Sequence, residues 1–278
     1  MKWYWIAILI ITVSTLLWIL YKDSTKKEIK DKIKNNLSKI PCEYSTKIKM
    51  KDLFDKIYLI ALPNRKEYAL NALSSFDIHP DLIEPIWKGD LSHEELISKN
   101  IIDLDYNYKN MGRVACHLSH LKTLETFLRD PTAQTALIFE DDIKECPNKA
   151  TYNRRLSSLK DELKYVDGTW DVLYLGSDSS TCTAMKPVTY QIYTKALPYC
   201  LHAYAITRKG AQIVLRETIP MYAYGDWMYR DLNKNGKLDV LSVIPSLFIQ
   251  NRSELGTNLD SYEKVKECKE FPFWNISL

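Results

Sequence analysis

Short apolar runs alternate with helical stretches along this chain, and that order constrains the fold more than any other sequence feature. The apolar runs are rich in branched and aromatic side chains; they are Ile57–Leu62, Leu82–Trp87, Ala136–Phe139, Trp170–Gly176, Leu201–Ile206 and Leu238–Ile244. Between them, helical character covers residues 65–76, 111–128, 152–163 and 208–215. Strands that alternate with helices predict an α/β domain, here residues 54–278, with a mostly parallel central sheet.

One of these apolar runs ends in three consecutive carboxylates. Ala136–Phe139 leads directly into Glu140, Asp141 and Asp142. In open α/β sheets ligands bind beyond the carboxyl ends of the strands, where this cluster falls. Clustered carboxylate oxygens suit Mg²⁺ or Mn²⁺, but an acidic turn that faces water explains the same residues. The residues alone leave both interpretations open.

The N-terminal segment Trp3–Tyr21 has the character of a membrane span. It contains no charged residue over 19 positions, enough to cross a hydrocarbon core of about 30 Å. Tryptophan and tyrosine stand at both ends, as expected at membrane interfaces. A cleaved signal peptide is the alternative, but no small-residue cleavage site follows the apolar run. We predict a transmembrane helix as anchor (1–21) and a lysine-rich stalk (22–53).

The membrane side of the C-terminal domain stays open at the sequence level. Lysines after the span favour a cytosolic domain under the positive-inside rule. The N-x-S sequons at Asn36, Asn251 and Asn275 are useful only in the lumen. We therefore expect a single-pass membrane protein without assigning its orientation.

The overall composition gives no support for nucleic-acid binding. The formal net charge is only +3, and 46% of the residues are hydrophobic, as in ordinary globular proteins. The 18 tyrosines and 7 tryptophans supply rings that can stack on sugars, although protein cores use them too. The cysteines include no C-x-x-C pair, which argues against a zinc ribbon or a thioredoxin-type site.

Three further residues are candidates for the site. His117 and His120 lie near the start of the helical stretch 111–128. A metal pair is conceivable, but no H-E-x-x-H pattern accompanies them, so hydrogen bonding or packing is favoured. Asp226 precedes a helical segment, where it either caps the helix or points into a cleft.

The order of six motifs resembles that of a known enzyme family. The motifs are Ile57–Arg65 (IYLIALPNR), Gly112–His120 (GRVACHLSH), Ala136–Asp142 (ALIFEDD), Trp170–Gly176 (WDVLYLG), Ala203–Ala211 (AYAITRKGA) and Ile244–Gln250 (IPSLFIQ). Together they resemble glycosyltransferase family 25, which includes lipooligosaccharide and procollagen galactosyltransferases. The resemblance covers about residues 55–258. It implies a GT-A-like fold, a nucleotide-sugar donor and transfer with inversion.

The resemblance also implies roles for particular residues. Asp141 and Asp142 match the acidic motif that stands where related enzymes hold Mn²⁺ (or Mg²⁺) and the donor diphosphate, and Glu140 is then a supporting or donor-sugar contact. Asp226 falls at the late acidic position and is the candidate general base. The residues implied to contact the donor are Pro63, Asn64, Arg65, Gly112, Ser119, His120 and Glu140.

Two positions depart from the family pattern. Ala61 replaces the asparagine of an early Asn-Leu pair, and Tyr68 replaces the second arginine of an R-x-x-R-like pattern. These departures indicate that nucleotide contacts differ, and they leave open a weakened or inactive enzyme.

The predicted function is transfer of a hexose, galactose or glucose, from a UDP-sugar to a hydroxyl group of a glycan or protein acceptor. The expected partners are a nucleotide sugar, that acceptor and a membrane, with no nucleic acid. One alternative is a metal-dependent phosphohydrolase. This sequence lacks the scattered His and Asp ligands that the two-metal site of such an enzyme needs. The other is a non-catalytic, membrane-tethered carbohydrate-binding protein.

Overall fold

The computed structural model describes residues 48–104, 110–145, 149–179 and 185–256. The predicted transmembrane anchor lies outside these residues, as does most of the predicted stalk. Within the described ranges, no helix combines the length and the apolar character needed to cross a membrane.

The described residues form strands and helices in alternation along much of the chain, as the sequence predicted. The strands are β1 (Lys56–Ile60), β2 (Asp81–Ile83), β3 (Thr135–Glu140), β4 (Ile143–Glu145), β5 (Val172–Ser179), β6 (Lys186–Pro187), β7 (Ile192–Thr194), β8 (Pro198–Thr207), β9 (Val240–Val243) and β10 (Phe248–Gln250). The helices are α1 (Lys66–Ser74), α2 (His93–Ser98), α3 (Met111–Arg129), α4 (Lys149–Tyr165), α5 (Arg208–Glu217), α6 (Gly225–Lys234) and α7 (Arg252–Leu255).

The second predicted strand is shorter than its sequence suggested. The apolar run Leu82–Trp87 contributes only its first residues to β2, which ends at Ile83. Pro85 follows two positions later and has no N–H group to donate to a neighbouring strand. The remainder of the run therefore leaves the sheet and leads into a 3₁₀ turn, Lys88–Asp90.

The main sheet has eight strands in the order β2-β1-β3-β8-β5-β9-β7-β6. β1 pairs in parallel with β2 and β3, and β5 pairs in parallel with β9. β8 is antiparallel to β3 and β5, and β7 is antiparallel to β9 and β6. All strands except β7 and β8 therefore run in one direction. The predicted α/β domain with a mostly parallel sheet is confirmed, although the sheet is mixed.

Strand β3 is buried on both faces of this sheet. Its residues Ala136 to Phe139 have no exposed surface, and successive side chains of a strand point to opposite faces. Leu137 and Phe139 accordingly pack in one apolar core and Ala136 and Ile138 in another.

Helices cover both cores. Leu73 of α1 and Leu159 of α4 lie in the first core, whereas Phe127 of α3 and Val214 of α5 lie in the second. Because water is excluded from both faces, the strand reads as a continuous apolar run in the sequence.

Strand register determines where the carboxylates emerge. Ile60 of β1 stands beside Glu140 of β3 in their parallel pairing, so the loop after β1 and the residues after Glu140 leave the sheet at the same edge. A second, two-stranded sheet pairs β4 with β10 and places Gln250 opposite Ile143. The chain near residue 250 is thereby brought to the same edge.

Candidate active site

Asp141 is held against the loop that follows β1. The backbone N–H of Leu62 donates to Asp141 Oδ2 at 2.8 Å, and Arg65 Nη1 lies 3.4 Å from Asp141 Oδ1. Both side chains of this ion pair are nearly buried. Burial raises the pKa of Asp141, and the Leu62 hydrogen bond and the Arg65 charge oppose that shift without cancelling it. Arg65 also donates to the carbonyl of Leu255 at 2.8 Å.

Asp142 is held by a different segment. Gln250 Nε2 donates to both carboxylate oxygens of Asp142, at 3.1 and 3.3 Å. The backbone N–H of Asn251 donates to the carbonyl oxygen of Asp142 at 2.6 Å. The two adjacent aspartates are therefore held by different segments of the chain.

Glu140 turns instead toward helix α3. Its Oε1 lies 2.9 Å from His120 Nε2, and the Cys116 thiol donates to the same oxygen at 3.6 Å. Burial opposes ionisation of Glu140, but the hydrogen bond and charge of His120 outweigh that effect and lower its pKa. The other ring nitrogen of His120 lies 3.1 Å from the Tyr204 hydroxyl. Both ring nitrogens of His120 therefore make hydrogen bonds.

Asp226 enters the cleft from the first turn of α6. Its carboxylate accepts hydrogen bonds from the backbone N–H groups of Cys200 and Trp227, both at 3.0 Å. The N-cap of α6 is Tyr224, so Asp226 is not the N-cap residue of this helix. Burial raises the pKa of Asp226, which the charge of Arg113 lowers and that of Glu140 raises further.

Electrostatic effects on Cys116 connect these groups. Desolvation in the cleft, together with the charges of Glu140, Asp226 and Asp142, raises the pKa of the Cys116 thiol. The carboxylates at the end of β3 and the carboxylate of α6 therefore all lie close enough to act on the Cys116 thiol.

An aromatic rim lies beside Asp226, and sequence reasoning did not single it out. Trp227 is 50% exposed, and its ring centroid lies 6.0 Å from Tyr199 and 6.5 Å from Tyr224. The guanidinium groups of Arg230 and Arg113 cover the Tyr199 and Tyr224 rings, at 3.5 and 3.6 Å. The tyrosine-rich run around Asp226 was the available signal in the sequence.

The remaining predicted donor residues have different surroundings. Pro63 and Asn64 are exposed in the loop between β1 and α1, and Gly112 lies in the first turn of α3. Ser119 is buried; it donates to the Ala115 carbonyl at 2.7 Å and accepts from the Ile86 N–H at 2.8 Å. Its hydroxyl thus ties the loop after β2 to α3.

The departure at Tyr68 has a clear structural consequence. The Tyr68 hydroxyl accepts a hydrogen bond from Asn251 Nδ2 at 2.6 Å, and Asn251 is almost fully buried. Tyr68 therefore anchors the segment after β10, the same segment that contacts Asp142 and Arg65.

Fold and site together define an α/β protein with carboxylates grouped at the carboxyl end of β3 and in the first turn of α6. No protein-family model matches the chain. The probable inactive glycosyltransferase 25 family member 3 of Bos taurus is 27% identical over 134 residues, which cover 44% of this chain and 22% of that protein. Procollagen galactosyltransferase 1 of Danio rerio is 24% identical over 176 residues, 59% of this chain and 28% of that protein.

These relatives confirm the resemblance to glycosyltransferase family 25 that the six motifs indicated. The chain spans about a quarter of the length of the curated relatives it matches. Among solved structures, a glycosyltransferase involved in the glycosylation of the major capsid of PBCV-1 aligns with a TM-score of 0.35 and 11% identity, over 70% of this chain and 93% of that one.

Proposed function

We propose that this protein is a GT-A-like glycosyltransferase that moves a hexose, galactose or glucose, from a UDP-sugar to a hydroxyl group of a glycan or protein. The observation that carries the proposal is the grouping of carboxylates from the end of β3 and the first turn of α6 around Cys116. Burial raises the pKa of Asp226, and the charge of Glu140 raises it further. The names of the relatives support the class of reaction, since one is a procollagen galactosyltransferase.

The acidic pair at the end of β3 fits a hard divalent cation. Asp141 and Asp142 offer carboxylate oxygens, which Mn²⁺ and Mg²⁺ prefer. Gln250 holds Asp142 in place but is neutral, so this contact does not cancel the charge of the carboxylate. An ion held by these two residues would supply Lewis-acid neutralisation of the departing diphosphate.

Asp226 is suited to deprotonate the acceptor hydroxyl group. Inversion by a single displacement needs a base on the face of the sugar opposite the leaving group. Burial raises the pKa of Asp226, which makes its carboxylate a stronger base than an exposed aspartate. Two backbone N–H groups fix its orientation.

The aromatic rim is suited to the acceptor. Trp227 is exposed directly beside Asp226, and aromatic faces pack well against the apolar faces of sugar rings. A glycan stacked on Trp227 would bring its hydroxyl groups close to the candidate base.

Donor turnover by the full chain tests this function. The protein, purified in detergent because residues 3–21 are apolar, is given UDP-galactose or UDP-glucose with Mn²⁺ or EDTA. Release of UDP is followed with and without glycan and hydroxylated-peptide acceptors. We expect Mn²⁺-dependent UDP release that an acceptor accelerates. Asp142→Asn should weaken donor binding and lower the rate, whereas Asp231→Asn, a partly exposed residue on the same helix as Asp226, should not.

One observation favours a second function, binding of carbohydrate without catalysis. The family 25 member 3 relative of Bos taurus is named as probably inactive. Calorimetric binding of UDP-sugar without turnover would support this second function and contradict the transferase proposal. Release of inorganic phosphate instead of UDP would support a phosphohydrolase and contradict both.

A further inference from the structure

Three side-chain atoms of the kinds that bind metals converge where the end of β3 meets α3. Cys116 Sγ, His120 Nε2 and one carboxylate oxygen of Glu140 all lie within 4.8 Å of one another, and among the described residues this is the one such group of three. Cys116 and His120 stand four positions apart on α3, so they share a face of the helix. The thiol and the imidazole both approach the same atom, Glu140 Oε1.

The separations are close to those of a tetrahedral zinc site. With Zn–S near 2.3 Å and Zn–O near 2.1 Å, two tetrahedral ligands are about 3.6 Å apart, and Cys116 Sγ lies 3.6 Å from Glu140 Oε1. Nitrogen and oxygen ligands would be about 3.4 Å apart, and the observed distance is 2.9 Å. Widening that contact by about half an ångström would match a zinc site, and the Glu140 side chain is 21% exposed. The third pair, Cys116 Sγ and His120 Nε2, lies within 4.8 Å, where tetrahedral ligands are about 3.6 Å apart.

The surroundings of His120 also match those of a metal-binding histidine. Such a histidine donates its second ring N–H to an outer partner that fixes the tautomer and the ring orientation. His120 Nδ1 lies 3.1 Å from the hydroxyl of Tyr204, which is fully buried. Without an ion, Nε2–H donates to the Glu140 carboxylate; with an ion bound, the ring proton would lie on Nδ1 and the Nε2 lone pair would face the ion.

The cluster is open on one side. Cys116 is a free cysteine whose residue surface is exposed to solvent while neighbouring groups desolvate its thiol, whereas His120 is fully buried. Three protein ligands with an open fourth position are typical of reactive zinc centres, whereas structural zinc sites are closed by four. The open side gives the ion an entry path and leaves a position for water or a ligand.

We propose that Cys116, His120 and Glu140 form a binding site for a thiophilic divalent cation such as Zn²⁺, separate from the Asp141 and Asp142 pair. On binding, the Cys116 S–H bond breaks, its proton goes to solvent and the thiolate forms the metal–sulfur bond. The sulfur ligand selects Zn²⁺ over Mn²⁺ and Mg²⁺. This role for Glu140 differs from the supporting or donor-sugar contact that the family resemblance implies, and it does not depend on the proposed transferase activity.

Cobalt substitution tests this site without any sugar donor. The detergent-purified full chain is stripped with a chelator and titrated with Co²⁺, and the thiolate-to-cobalt charge-transfer band is recorded in the near ultraviolet. We expect the band in the wild-type protein, its loss on addition of Zn²⁺, and its persistence in excess Mg²⁺. Cys116→Ser should abolish the band, whereas the control Cys200→Ser should retain it.

A second variant separates metal binding from folding. Tyr204→Phe keeps all three ligands but removes the hydroxyl beside His120 Nδ1, so it should keep the band while weakening Co²⁺ affinity by about 10- to 100-fold. Circular dichroism and thermal melting show whether each variant is folded. Absence of a band in folded wild-type protein, or an unchanged band in Cys116→Ser, would overturn the proposal.

Discussion

Three adjacent carboxylates repel one another unless each finds a separate partner, and the structure provides three. Glu140 faces His120, Asp141 faces Arg65, and Asp142 faces the Gln250 amide. These partners come from three different parts of the chain. The Arg65 charge lowers the repulsion within the cluster, and all three contacts fix the directions in which the carboxylates point.

The general-base role of Asp226 predicts both a rate and a pH effect. Asp226→Asn should lower kcat/KM by about 10²–10⁴-fold while circular dichroism shows a retained fold. Only the ionised carboxylate accepts a proton, so activity should fall as the pH drops through its pKa. Since burial raises that pKa, the acid limb of the kcat/KM profile should lie above 3.8, the ordinary value.

The Arg65–Asp141 pair predicts a stability effect. Arg65→Met leaves Asp141 as a buried charge without its cation, and breaking such pairs costs about 3–5 kcal/mol. The free energy of unfolding, measured in urea, should fall by that order. The double variant Arg65→Met with Asp141→Asn should recover part of the loss, since no buried charge remains. Lys66→Met, at an exposed neighbouring position, is the control. An equal loss of unfolding free energy in Lys66→Met and Arg65→Met would contradict the prediction.

At the residue scale, the sequence predicted the acidic cluster but not its partners. The apolar run before Glu140 marks a buried strand, and position alone placed its end at a cleft. Gln250 lies 108 positions after Asp142, and no local pattern connects the two. Sequence reasoning did not identify Cys116 as part of a site, because Glu140, which its thiol contacts, lies on a different element of the fold.

At the level of secondary structure, the local sequence predicted which segments form strands but not whether those strands run parallel or antiparallel to their neighbours. The run Leu201–Ile206 predicted β8 correctly, because buried branched and aromatic residues are a local signal. Its antiparallel insertion between β3 and β5 depends on pairing with distant strands. Strand β8 carries Cys200, whose backbone N–H orients Asp226, so the direction of β8 also shapes the site.

Helix α6 carries Trp227 of the aromatic rim, the proposed acceptor contact, next to the candidate base Asp226. Trp227→Ala should raise the acceptor KM by about 2- to 10-fold, because an aromatic contact contributes about 0.5–1.5 kcal/mol. The donor KM should not change, because Trp227 lies next to Asp226 on α6 and the proposed diphosphate site is formed by Asp141 and Asp142. Steady-state kinetics with each substrate varied in turn measures both constants.

Tyr165→Ala provides the control for Trp227→Ala. Tyr165 is 76% exposed and ends α4, which packs on the other core of the sheet. A donor KM that rises as much as the acceptor KM in Trp227→Ala would contradict the proposal that Trp227 contacts the acceptor.

For the domain as a whole, the cleft depends on contacts between its first and last described segments. The segment after β10 reaches back to the start of the domain: Asn251 donates to Tyr68 Oη, and the Leu255 carbonyl accepts from Arg65. The same segment donates the Asn251 N–H to Asp142. The contacts of the segment after β10 therefore position both Asp141 and Asp142. A substitution in this segment should change donor binding as well as the free energy of unfolding.

Asn251→Leu tests that coupling. The variant loses the hydrogen bonds from Asn251 Nδ2 to Tyr68, at 2.6 Å, and to Glu254, at 2.8 Å. The segment should loosen, and kcat/KM for the donor should fall by up to about 10²-fold, as for other small misplacements of a binding group. Limited proteolysis should show faster cleavage near residue 251 while the far-ultraviolet spectrum stays unchanged. Asn71→Leu, an exposed position on α1, should show neither effect; unchanged donor kinetics in a loosened Asn251→Leu would mean that the segment does not position Asp141 and Asp142.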